Sequence, residues 1–163
     1  MADDSNCEEA QSKNLFAHAG RTLYLAQCFE MSFENILCLY ARLSLKSLTL
    51  AEFENFEKGV QKETLGQLLN KVRGLVKFGE GADAVLTTAL EQRNFFVHRF
   101  FKERADQALP PKGSALMIDE LIEIQRCLQE ADLVASVVYK ALGKALGISD
   151  EMVERKLDEL KSK

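Results

Sequence analysis

An arginine, an amide and a histidine lie close together in the stretch Arg93-Asn94-Phe95-Phe96-Val97-His98. A guanidinium presents paired donors that match two phosphate oxygens, and an imidazole exchanges protons near neutral pH. The amide of Asn94 can orient the histidine or a substrate by hydrogen bonding. These residue types are suited to binding a phosphate group and to moving a proton.

Apolar residues recur every three or four positions around this stretch, which predicts a helix from residue 83 to residue 104, capped by Asp83. Its buried face is predicted to contain six residues: Leu86, Ala89, Leu90, Phe96, Val97 and Phe100. Arg93 falls near the middle of that face. Because a guanidinium does not deprotonate, it must snorkel, pair with a carboxylate or border a polar cleft.

Asn94 and His98 are four residues apart and share a flank of the helix, which Phe101 continues. Arg93 and His98 are five apart, and a regular helix leaves them roughly 140° apart around its axis. They can converge only across a groove or where two subunits share a site. The extra apolar flank of Phe95 and Phe101 agrees with the second arrangement, in which two copies meet through this helix.

Composition limits the class of protein. The chain has 163 residues, 47% of them hydrophobic and 28% charged, which fits a single folded domain. A net charge of −4 argues against nonspecific adhesion to DNA or anionic membranes. Nevertheless, four cations and two acids lie between Glu91 and Arg104. The sequence therefore allows a local basic site.

The cysteines and histidines show no metal-ligand spacing, and no apolar run is long enough to cross a bilayer. We predict no metal, no cofactor and no membrane partner. The four cysteines form no CxxC pair, and no secretory signal segment precedes them, so we expect reduced thiols and a cytoplasmic location. His18, near the apolar face of the first helix, is interpreted as a histidine at the edge of the core.

The pattern as a whole predicts an all-α fold, an up-and-down bundle of about four main helices with one or two short ones. Residues 1–14 are predicted to be a disordered acidic tail, and residues 15–163 a single domain. The first long helix is expected from Leu15 to about Lys46. Thr49 with Glu52 predicts a capping box for a short helix that Gly59 ends.

Further boundaries follow from helix-stop and turn residues. Thr64 is predicted to start the next helix, and Gly79 and Gly81 to break it. Pro110-Pro111 with Gly113 and Ser114 is predicted to form a loop. A long helix is then expected from about residue 115 to residue 146, stopped by Gly147, and Ser149 or Asp150 is predicted to cap a final helix.

Arg93, Asn94 and His98 in a late helix of an all-helical chain resemble the motif of the HEPN superfamily. Its nucleases carry an arginine, often a polar residue directly after it, and a histidine four to six residues further on. The resemblance covers roughly residues 15–146. It implies cleavage of RNA without a metal by a homodimer in which the motifs of both subunits meet, with Arg93, Asn94 and His98 as catalytic residues.

The resemblance also implies a toxin or a defence effector, and with it an antitoxin or regulatory partner. The sequence leaves a second interpretation open, a noncatalytic helical module for protein interaction or regulation. In that interpretation Arg93 pairs with a carboxylate of the first helix, either Glu30 or Glu34, and His98 is a packed side chain.

Overall fold

A computed structural model of the chain describes residues 2–45, 47–107 and 111–162. Within these ranges the secondary structure is helical, without strands. The helices are α1 (Ala2–Ser44), α2 (Leu50–Val60), α3 (Leu65–Leu75), α4 (Glu80–His98), α5 (Phe100–Glu103), a 3-10 turn (Ala105–Gln107), α6 (Pro111–Ala145) and α7 (Asp150–Lys161). The prediction of an all-α helical bundle is confirmed.

The chain forms two compact units. One joins Met1–Met31 with Lys77–Val134, and the other joins Ser32–Val76 with Ala135–Lys163. The first unit holds α4, α5 and the 3-10 turn together with parts of α1 and α6, so all three predicted site residues belong to it. The single domain expected for residues 15–163 stays a prediction.

The core of the first unit follows the helical spacing of apolar residues. Its buried side chains are Leu15, Ala19, Ala26 and Phe29 of α1, Leu86, Ala89 and Phe96 of α4, Phe100 of α5, and Met117, Leu121, Ile124, Leu128 and Ala131 of α6. Truncating a fully buried ring such as Phe29 or Phe100 to alanine is expected to cost about 3 to 5 kcal/mol. This packing fixes the position of α4 against α1 and α6.

The second unit has its own core. It is built from Phe33, Ile36, Leu37 and Ala41 of α1, Val60 of α2, Leu65, Leu68, Leu69 and Val72 of α3, and Ala135 of α6. The guanidinium of Arg42 lies 3.8 Å from the ring centroid of Phe53, which joins α1 to α2. Helix α7 is exposed along its length.

Local capping signals determine several helix ends. Thr49 accepts from the backbone of Glu52, whose carboxylate accepts from the backbone of Thr49, so the predicted capping box is confirmed. Thr64 caps α3 in the same way with Gln67. The predictions for the last helix are also confirmed: Gly147 has φ +79°, the left-handed region that favours glycine, and Ser149 caps α7.

The first helix is longer than predicted. Helix α1 begins at Ala2, so residues 2–14, predicted to be a disordered tail, lie in this helix. An ion pair of 2.7 Å between Lys13 and Glu9 spans one helical turn in this segment. Lys46, where the sequence placed the end of this helix, lies outside the described residues.

The helix that carries the site differs from its prediction at both ends. It begins after Gly79, so Gly81 is inside it and Asp83 occupies its first turn instead of the cap. It ends at His98, because Arg99 adopts φ −132° and ψ −28°, and α5 follows as a separate turn. The prediction of one helix over residues 83–104 was therefore wrong. The helix dipole stabilises an acidic side chain anywhere in the first turn, so Asp83 is favourable there without being the cap.

The loop predicted around Gly113 and Ser114 was wrong as well, since both residues lie inside α6. Proline is compatible with the first helical turn, where its missing N–H is not needed, and α6 begins at Pro111. A Cβ at position 113 would collide with the backbone of Gln107, so glycine allows α6 to approach the 3-10 turn. Pro110 lies outside the described residues. Helix α2 ends at Val60, one residue beyond the predicted stop at Gly59.

Candidate functional site

Arg93 lies on the buried side of α4, as its position in the sequence predicts. Leu86, Ala89 and Phe96 of the same face are buried, and the side chain of Arg93 is only 19% exposed. Val97 departs from the prediction, because it is 42% exposed and belongs to the flank of α4. Arg93 is thus a charged group at the edge of the core.

Glu30 of α1 is the partner of Arg93. Its Oε2 accepts a hydrogen bond of 3.0 Å from Nη2, and its side chain is 24% exposed. The sequence left this pairing open as a structural role for Arg93. Since a guanidinium carries five N–H donors, one contact to Glu30 leaves capacity for another acceptor.

The rest of the guanidinium is weakly satisfied. Nη1 donates to Oδ1 of Asn94 over 3.3 Å, a long contact between sequence neighbours. Nε is buried and has no hydrogen-bond partner among the described residues. Leaving a buried donor of this kind unpaired costs free energy. Arg93 therefore combines one good ion pair with unused donor groups.

Asn94 and His98 occupy the exposed flank of α4, one helical turn apart. His98 is the last residue of the helix. Within the described part of the chain, His98 forms no hydrogen bond with Arg93 or Asn94. A single copy therefore brings Arg93 and Asn94 together and leaves His98 apart, as the angle along the helix requires.

Two contacts set the direction of α1 beside the site. Glu30 meets Arg93, and fourteen residues earlier Phe16 stacks on Phe101, with ring centroids 6.2 Å apart and planes 20° from parallel. From Arg93 to Phe101 the residue numbers increase, while those of their partners decrease from Glu30 to Phe16. This segment of α1 therefore runs antiparallel to α4 and α5. Phe16 and Phe101 remain 62% and 39% exposed. No pattern in the sequence indicates this pair, because the two rings are far apart in the chain.

The cations around the motif differ in what holds them. Arg104 forms two hydrogen bonds with the carboxylate of Glu120, of 2.9 and 2.8 Å, which raise the pKa of its guanidinium. Arg99 lies 3.6 Å from Glu103 in an exposed pair. Both guanidinium groups also lie over the ring of Phe95, that of Arg99 at 5.3 Å and that of Arg104 at 5.5 Å from its centroid.

The guanidinium groups of Arg99 and Arg104 cover the ring of Phe95, which is therefore less exposed than the sequence predicted for a dimer flank. Lys102, by contrast, is exposed, so Lys102 and Arg99 supply the accessible positive charge after His98.

His18 is at the edge of the core, as predicted. Its backbone oxygen accepts hydrogen bonds of 2.9 Å from Thr22 and 3.0 Å from Gln125, and its Nδ1 lies 3.5 Å from the Gln125 amide. Thr22 and Gln125 are buried. These contacts give His18 a structural role between α1 and α6.

A cleft of about 410 Å³ lies between α4 and α6. Its lining includes Thr88 and Gln92 of α4 together with Glu120, Glu123 and Glu130 of α6. Arg126 also lines the cleft, but three carboxylates against one guanidinium leave it net negative, so it is a poor site for nucleic acid. The exposed flank of α4 is the better candidate surface.

In the described ranges, no group of three histidine, cysteine or acidic side chains is arranged to hold a metal ion. None of the described helices has the length and apolar character that a bilayer crossing requires. Comparisons with known proteins add no assignment: the chain matches no family model, no curated protein and no solved structure.

Proposed function

We propose that the chain is an endoribonuclease that works as a homodimer, with Arg93, Asn94 and His98 in the site. The observation that carries this proposal is the exposure of Asn94 and His98 on one flank of the helix that also holds a half-buried arginine. Together these groups offer a proton acceptor, a hydrogen-bonding amide and a phosphate-binding cation.

The chemistry is an internal transfer within RNA. His98 accepts the proton of a ribose 2′-hydroxyl, and the oxygen forms a bond to the adjacent phosphorus. Arg93 stabilises the added negative charge on the phosphorane. The bond from phosphorus to the 5′-oxygen then breaks, and that oxygen takes up a proton from the protonated His98 or from water, which leaves a cyclic phosphate and a free 5′-hydroxyl. DNA lacks the attacking hydroxyl, so RNA is the substrate.

Glu30 supports this role by orienting Arg93. Its carboxylate binds Nη2 from the side of α1, while the contact between Nη1 and Asn94 ties the guanidinium to the exposed flank. Nε is buried, so the remaining N–H groups of Nη1 and Nη2 are the ones that donate to phosphate oxygens. A lysine at position 93 would keep the charge and lose this planar arrangement.

A second copy of the chain completes the site, since one copy keeps His98 and Arg93 on different sides of α4. The exposed apolar residues beside the site provide a surface for that copy: Leu23 and Met31 of α1 and Val97 of α4. Gly20, one turn before Leu23, leaves open space where a side chain would stand, which permits close approach of a helix.

The test is cleavage of a labelled single-stranded RNA by purified protein in excess chelator. The wild type is expected to cleave, and Arg93→Ala and His98→Ala are expected to lose at least about 100-fold in rate. Arg126→Ala is the matched arginine control, because Arg126 is an exposed residue of α6 paired with Glu123. His18→Gln is the matched histidine control. Folded variants that cleave as the wild type does would overturn the proposal.

A noncatalytic interaction module is the second candidate function. The specific observation in its favour is the ion pair with Glu30, which gives Arg93 a structural partner. The same exposed apolar face would then bind a protein partner or regulator. An inactive wild type that still assembles through Leu23 and Val97 would favour this candidate. A toxin or defence role, an antitoxin partner and the cytoplasmic location stay predictions.

A further inference from the structure

The stacked rings of Phe16 and Phe101 are an aromatic surface next to the proposed site. Their planes are 20° from parallel with ring centroids 6.2 Å apart, and Phe16 is 62% exposed. Phe101 follows His98 by three residues and the break in the helix by two. Two exposed rings in contact with each other offer a larger flat apolar surface than a single exposed side chain.

Neighbouring cations distinguish the surface formed by Phe16 and Phe101 from the exposed apolar residues Leu23 and Met31 of α1. Lys102 and Arg99 flank Phe101 in the chain and are exposed. On the other helix, Lys13 lies one turn before Phe16, exposed and paired with Glu9. Aromatic rings bordered by cations are the usual means of holding single-stranded nucleic acid, because bases stack on the rings while the cations meet phosphates.

We propose that Phe16 and Phe101 form a stacking platform for one unpaired base of an RNA strand, adjacent to the phosphate that His98 acts on. The proposal rests on the ribonuclease function and adds a subsite to it. A base held in a duplex keeps both faces stacked on its neighbours, so the platform selects single-stranded or looped RNA over duplex RNA.

Binding tests the platform without requiring cleavage. The probe is a fluorescent 2′-O-methyl oligonucleotide, single-stranded or annealed to its complement, and the readout is fluorescence anisotropy. Phe101→Leu keeps an apolar side chain and removes the ring, and it is expected to weaken single-strand binding by about 5- to 150-fold. Phe16→Leu should have an effect in the same range. Phe101→Tyr keeps a ring and should bind within about twofold of wild type.

Salt dependence separates the ring from the charges. Lys102→Ala is expected to flatten the slope of log Kd against log salt concentration by about 0.7 on a single strand, and Phe101→Leu to leave the slope unchanged. Equal binding of single strand and duplex, or wild-type affinity in Phe101→Leu, would overturn the platform. So would a change from dimer to monomer in Phe101→Leu by sedimentation, since the ring would then belong to the protein interface.

The two proposals fail in different ways. Ring-dependent binding without cleavage of unmodified RNA would retain the platform and overturn the ribonuclease. Cleavage that proceeds in Phe101→Leu with an unchanged KM would retain the ribonuclease and overturn the platform. An increase in KM at constant kcat is the expected result, because the platform binds a base away from the reacting bonds.

Discussion

Oε2 of Glu30 lies 3.0 Å from Nη2 of Arg93, across 63 residues of sequence. This ion pair joins α1 to α4 at the edge of the core of the first unit. It explains how the chain accommodates a permanent charge on a face made otherwise of apolar residues, because a carboxylate of the neighbouring helix compensates it.

The strength of this pair is measurable by a double-mutant cycle. Both side chains are less than a quarter exposed, so the coupling should lie above the value of about 1 kcal/mol typical of exposed pairs. We expect a coupling free energy of about 1 to 3 kcal/mol from the urea unfolding of Glu30→Ala, Arg93→Ala and the double variant. Glu30→Gln should be less destabilising than Glu30→Ala, because its amide oxygen still accepts a hydrogen bond. Additive single effects would show that the two residues do not interact.

Gln125 is expected to be a stability residue of the first unit. Its amide donates to Thr22 and to the backbone of His18, both in α1, and its side chain is buried. Gln125→Ala should lower the free energy of unfolding by about 2 to 3 kcal/mol, because the Thr22 hydroxyl and the His18 backbone oxygen lose a hydrogen-bond donor. Gln129→Ala, at an exposed position of the same helix, is the control and should change it by less than about 0.5 kcal/mol. Equal effects of the two substitutions would contradict this role.

Two cysteines should react slowly with alkylating reagents. Burial raises the pKa of the Cys38 thiol, helped by Glu57 and Glu34, and burial together with Glu130 raises the pKa of the Cys127 thiol. Because the thiolate is the reactive form, a raised pKa moves its appearance to higher pH. Variants that retain only Cys38 or only Cys127 should react with iodoacetamide more slowly than N-acetylcysteine at about pH 7.5.

The difference in reaction rate between each protein thiol and N-acetylcysteine should become smaller as the pH approaches about 10, where a larger fraction of each thiol is ionised. Reaction at the rate of the free thiol near neutral pH would show that these side chains are accessible and ionise normally.

Mixed dimers test whether two copies share one site. Arg93→Ala and His98→Ala proteins, each inactive alone, are mixed after partial unfolding and allowed to reassociate. If Arg93 of one subunit works with His98 of the other, one of the two sites in a mixed dimer is intact. Activity should then recover to about one quarter of wild type, because half of randomly assorted dimers are mixed. Recovery is not expected if both residues act from the same subunit.

Much of the local structure could be predicted from the sequence. The capping box of Thr49 and Glu52, the stop at Gly147 and the cap at Ser149 depend on residues within one turn, so the signals are short and specific. The end of α4 at His98 was missed, because the apolar pattern continues through Phe100 and Phe101 and contains no proline or glycine to mark a break.

The candidate site was predicted only in part. The position of Arg93 on an apolar face allowed a carboxylate partner as one of three outcomes, and Glu30 was one of two candidates for that partner. The pairing of Arg104 with Glu120 and the stacking of Phe16 on Phe101 depend on how separate helices pack. No periodicity within one helix records such contacts, so they became visible only in three dimensions.

The most direct test of the ribonuclease proposal is the chemistry of the RNA ends. Wild-type protein in excess chelator is expected to convert a single-stranded RNA to products with a 2′,3′-cyclic phosphate and a 5′-hydroxyl, identified by mass spectrometry. It should leave the fully 2′-O-methylated strand intact, and His98→Ala should slow product formation by about 100-fold or more. Intact RNA with the wild type, cleavage of the methylated strand, or undiminished cleavage by His98→Ala would contradict the assignment of His98 as the catalytic base.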